Sequence, residues 1–78
     1  MLPSVSERFH LTLPGNLARE PVIYTLGERF GLVTNIRRAG IEEDSGWVIL
    51  EVDGPGPAIS EALAWLEERG VHIDRIEG

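Results

Sequence analysis

Apolar residues at every second position mark the first readable segment of the chain, where Phe9, Leu11 and Leu13 alternate with Arg8, His10 and Thr12. A period of two sends alternate side chains to opposite faces, so this segment predicts a strand with one buried face. Pro14, Gly15 and Asn16 are turn residues, and Pro21 is placed at the first position of a helix that carries Ile23, Leu26 and Phe30 at helical spacing. Gly31 is suited to close that helix from a left-handed conformation.

The second strand is expected over residues 32–41 with mixed parity: Leu32, Thr34 and Ile36 share one face, whereas Val33, Asn35, Ala39 and Ile41 share the other. A bulge between Asn35 and Arg38 reconciles the two sets. Glu42, Glu43, Asp44, Ser45 and Gly46 read as a polar hairpin loop, and residues 47–53 read as a third strand with Val48, Leu50 and Val52 on its apolar face. Gly54, Pro55 and Gly56 are expected to break that strand, and Pro57 to start a second helix with Ile59, Ala62, Leu63 and Leu66 on one stripe. Gly70 ends it, and Val71, Ile73 and Ile76 form a short last strand.

The order is therefore βαββαβ. Two amphipathic helices and four half-apolar strands bury most surface when both helices lie on one face of an antiparallel sheet. Right-handed crossovers favour the order 4-1-3-2, with strand two and its Asn35 at an edge. The predicted class is α+β, a ferredoxin-like sandwich, with residues 1–6 a mobile lead-in and residues 7–78 a single domain.

Composition narrows the function. With 42 % hydrophobic and 26 % charged residues in 78, the chain has the balance of one packed domain. No apolar run approaches the ~20 residues that cross a bilayer, and the N-terminus lacks the basic start and apolar stretch of a secretory signal, so no membrane insertion and a cytoplasmic location are expected. Absence of cysteine removes disulfides, zinc ribbons and thiolate-held clusters. A net charge of −6 would repel a phosphate backbone, which argues against a nucleic-acid partner. All seven basic residues are Arg, and the chain has no Lys or Gln, a composition found in some thermophiles.

Strand alternation places His10, Thr12, Trp47, Ile49, His72 and Asp74 on the face away from the helices. Trp47 and Ile49 there read either as scattered surface residues or as an interface, and oligomerisation would add buried area to a small domain. His10, His72 and Asp74 invite a metal or acid/base reading, but their spacing is not that of a metal motif; no metal site and no cofactor is predicted. No Cys is available as a nucleophile, and no Ser occupies a Gly-x-Ser-x-Gly turn, so no enzyme activity is expected. Gly54, Pro55 and Gly56 lack the lysine of a phosphate cradle, and their proline removes an amide donor. Glu42, Glu43 and Asp44 read as a solvated loop, and Trp65 as an edge-of-core aromatic.

From Phe9 to Ile76 the chain resembles the NIL domain, the ferredoxin-like module found at the C-terminus of methionine-importer ATPases and attached to some ferredoxin-type proteins. The likeness rests on Phe9 to Gly15, the Pro21-Val22-Ile23 helix start, Asn35-Ile36, the Gly46 hairpin with residues 48–52, Gly54, and Ala62-Leu63-Ala64-Trp65-Leu66 before Gly70-Val71. Where the family motif reads Asn-Ile-Leu, this chain reads Asn35-Ile36-Arg37. The resemblance implies a non-enzymatic regulatory module that senses methionine or a related amino acid at the junction of a homodimer. Asn35, Ile36 and Arg37 are the implied ligand-binding residues. An edge-strand amide such as Asn35 can donate to a carboxylate and accept from an ammonium group. A second reading is an interaction adaptor that docks on a transporter ATPase or ferredoxin-type partner through Trp47, Ile49 or the strand-two edge, without a metabolite. The chain carries no phosphate-binding loop of its own.

Overall fold

A computed structural model describes residues 3–15, 21–42 and 44–77. Asn16 of the predicted turn and Glu43 of the predicted loop lie outside them. The elements are β1 (Ser4–Pro14), α1 (Val22–Phe30), β2 (Val33–Ile41), β3 (Ser45–Pro55), α2 (Gly56–Glu68) and β4 (His72–Ile76).

The strands form one antiparallel sheet in the order β2-β3-β1-β4, the predicted ferredoxin-like arrangement. β3 is buried at every second residue along its whole length, so a single strand divides the sheet into a covered face and an open one. Phe9 and Leu11 of β1 join Val48, Leu50 and Val52 of β3 on the covered face, where Val22 and Leu26 of α1 and Ile59, Ala62 and Leu66 of α2 close over them. Leu32 and Val71 seal the two helix exits. Both exits turn through glycine: Gly31 has φ 67° and Gly70 φ 92°, a region that other residues enter only with strain. The Gly31 and Leu32 amides then return to the carbonyls of Gly27 and Leu26, satisfying the last turn of α1.

Several boundaries differ from expectation. β1 begins at Ser4, so the expected lead-in of residues 1–6 gives up Ser4 to Ser6, which pair with Pro55 to Asp53. For the same reason Gly54 and Pro55 do not break β3, because β1 runs alongside and supplies partners as far as Pro55. Pro21 caps α1 rather than occupying its first turn, and Val22 enters the core more fully than Ile23 or Phe30. Leu32 leaves β2 to lie against Gly54, where an added Cβ would come within 2.5 Å of a Leu32 methyl carbon. The bulge falls between Ile36 and Arg38, inside the expected window.

Candidate functional site

Cross-strand register decides which polar residues meet on the open face. Thr12 pairs with Trp47, His10 with Ile49 and Arg8 with Glu51, while β2 contributes Gly40 opposite Trp47, Arg38 opposite Ile49 and Asn35 opposite Glu51. β4 adds His72 opposite Thr12 and Asp74 opposite His10. Asn35, Trp47 and Ile49 therefore share one surface. Ile36 does not: it pairs with Leu50 on the covered side, yet it remains exposed at the sheet edge. Arg37 is the extra residue of the bulge.

Trp47 is the centre of this face. Its indole stacks on the His10 ring with centroids 5.6 Å apart and planes 9° from parallel. The indole lies down because the β2 residue beneath it has no side chain: a Cβ at Gly40 would stand 2.5 Å from Trp47 Nε1 and 2.7 Å from Cε2. A glycine inside a strand marks such a close approach, so this feature had a sequence signal that the hydrophobic pattern alone does not use. Gly40→Ala should push the indole off His10, at a cost of about 0.5–1.5 kcal/mol for the lost stacking. The check is the Trp47 indole N–H and His10 ring resonances. If neither moves, the stacked arrangement is wrong.

Two ion pairs order part of this face, whereas Arg38 has no carboxylate or ring against it among the described residues. Arg8 Nη2 donates to Glu51 Oε2 at 2.9 Å, and His72 Nε2 lies 3.3 Å from Asp74 Oδ2 at a well-exposed position. The second pair is open to solvent and contributes little to stability, whereas the first is partly buried. No group of three His, Asp or Glu side chains suited to hold a metal ion occurs among the described residues. Asn35 makes no side-chain hydrogen bond among them, so both ends of its amide are open to a ligand.

Two open grooves mark the surface. One of about 370 Å³ runs past the end of β4, between the Arg8–Glu51 pair and Arg75. The other, about 340 Å³, follows α2 and β4 beside Leu63, Glu67 and Ile73. Neither is lined by Asn35, Ile36 or Arg37. No helix of the described residues is long and apolar enough to cross a membrane.

The NIL domain model matches residues 7–75, which cover every strand and both helices of this sandwich. The chain belongs to the NIL domain family. Among curated proteins, the methionine import ATP-binding protein MetN of Myxococcus xanthus (strain DK1622) is 31 % identical over 71 residues. That match takes in 86 % of this chain but only 22 % of that protein, so the NIL chain spans about a fifth of its relative's length. The C-terminal domain of an ABC transporter ATP-binding protein from Enterococcus faecalis superposes with a TM-score of 0.78 at 18 % identity, covering 92 % of this chain and 84 % of that one. A de novo designed protein, Ferredog-Diesel, superposes with a TM-score of 0.57 at 10 % identity, covering 99 % and 89 %. These two structures share the fold.

Proposed function

We propose that this NIL domain is a non-enzymatic regulatory module that senses methionine or a related amino acid for an importer ATPase, acting on the cytoplasmic side. Family membership, together with a relative named as a methionine import ATP-binding protein, carries the reading. The open sheet face supplies a chemistry that suits it. Asn35 offers an acceptor and two donors to the ligand's ammonium and carboxylate groups. Trp47 and Ile49 offer apolar and aromatic surface, and a thioether packs well on aromatic rings.

Asn35 is exposed on an edge strand, and neither groove reaches it, so one copy gives little enclosure there. Ligand sites normally bury most of a small molecule. In this proposal the cover comes from a second copy meeting the first over Trp47 and Ile49, with the amino acid at the junction.

Titration of ¹⁵N-labelled protein with L-methionine, followed by ¹H–¹⁵N correlation spectra, tests this directly. Saturable shifts should cluster at Asn35, Trp47 and Ile49, with D-methionine and L-leucine giving weaker responses. Equal responses to all three, or none to any, would remove amino-acid sensing and leave the adaptor reading.

A further inference from the structure

The outer edge of β2 is unlike the rest of this surface. β4, the opposite edge, is five residues long, whereas β2 runs for nine with no strand on its outer side. Val33 is 66 % exposed, Ile36 54 % and Ile41 86 %, so three of the five exposed large hydrophobic residues among those described lie on this strand. Long apolar edges are templates for pairing with another chain.

The arginines add a sign. Arg8 and Arg75 hold Glu51 and Glu7, and Arg29 and Arg69 lie over the rings of Phe30 and Trp65. Arg37 and Arg38 have neither a carboxylate nor a ring against them among the described residues. This occurs in a chain with 13 acidic and 7 basic residues, where cations do not lack for partners. Both lie at the bulge in the middle of the edge, and β2 itself carries no acidic residue.

We infer that the outer edge of β2 docks an extended acidic segment of a partner protein, which adds a fifth strand to the sheet. Backbone pairing supplies the geometry, Val33, Ile36 and Ile41 supply apolar contacts, and Arg37 and Arg38 select negative charge. A second copy fits less well. Two β2 strands related by a two-fold axis would bring four arginines together. Placing the β4 edge of one copy on the β2 edge of the next is a head-to-tail contact, which gives a ring or a fibre rather than a two-fold pair. The bulge and the two cations thus act against self-pairing while leaving the edge open to an acidic strand. The inference stands apart from amino-acid sensing, because it rests on the backbone edge of β2 and the arginines at its bulge rather than on the Asn35 amide or on Trp47 and Ile49.

The probe is a capped peptide that matches β2 in length and alternates Glu with Val; a Lys/Val peptide and a Glu/Val peptide with a central proline serve as controls. Binding to the ¹⁵N-labelled full chain is read from chemical shifts and amide exchange. The Glu/Val peptide should give saturable shifts along residues 33–41 and slow exchange at alternate β2 amides. Its affinity should fall at least about tenfold between roughly 50 and 300 mM salt, as expected for exposed charges. The double variant Arg37→Glu, Arg38→Glu should lose the interaction while keeping the dispersed spectrum of the folded protein. No saturable shift up to about 1 mM peptide overturns the inference. Equal binding of the Lys/Val or proline peptide, undiminished binding by the double variant, or shifts centred on Trp47 and Ile49 would also overturn it. So would concentration-dependent shifts along β2 without peptide, which would make the edge a contact between copies. No arm contains methionine, so the result is independent of the sensing proposal.

Discussion

Leu50→Ala should lower the unfolding free energy by about 2–5 kcal/mol, read as a fall in the urea midpoint with an unchanged slope. Leu50 is fully buried, on an inner strand, flanked by Phe9 on β1 and by Ile36 on β2. Truncation there removes apolar contacts and leaves a cavity that two hydrogen-bonded neighbouring strands cannot easily close. A domain of this length has roughly 4–12 kcal/mol in total, at about 0.05–0.15 kcal/mol per residue, so the variant should lose a large share of its stability. Ile41→Ala is the control: Ile41 is almost wholly exposed, and its loss should cost less than about 0.5 kcal/mol. Similar midpoints for the two variants would contradict the placement of the core.

Asn35→Ala should weaken L-methionine binding by about ten- to a hundredfold, the effect of losing hydrogen bonds to charged groups worth about 1.5–3 kcal/mol. The same variant should unfold at nearly the wild-type midpoint. Its amide is exposed and makes no hydrogen bond among the described residues, so removing it leaves nothing buried unsatisfied. Calorimetry and a urea titration on one preparation separate the two effects. Binding as tight as wild type would take Asn35 out of the site, whatever the remaining family likeness.

The inner strands were the most legible part of the chain. Phe9 and Leu11, and Val48, Leu50 and Val52, recur at every second position because each strand has one covered face, and all five are core residues, although Ile49 on the open face makes the alternation of β3 less clean. The edge strand was harder to read. Thr34 and Ile36 share the parity of the covered side, while Asn35 faces away, but Ile36 is 54 % exposed at the sheet edge, so an apolar residue at a core parity stays outside the core. Periodicity reports which way a side chain points, and only packing decides whether anything lies above it. The three residues expected to act together, Asn35, Ile36 and Arg37, are divided by the same pleat: Asn35 joins Trp47 and Ile49, Ile36 turns to the other side, and Arg37 occupies the bulge.

Sequence alone determined the types and order of the elements, the covered face of β1 and β3, the glycines that end both helices and the likeness to the NIL domain. These follow from residues close together in the chain, where spacing and backbone preference act directly. Tertiary structure decided the rest. The extension of β1 and β3, the Arg8–Glu51 pair, the Trp47 indole lying over Gly40 against His10, and the isolation of Arg37 and Arg38 all depend on partners in other strands. Arg8 and Glu51 are 43 positions apart, and only the register of two strands brings them within 2.9 Å. A one-residue slip in that register would turn every such side chain to the other face, which is why local pattern cannot specify the open face that this domain presents.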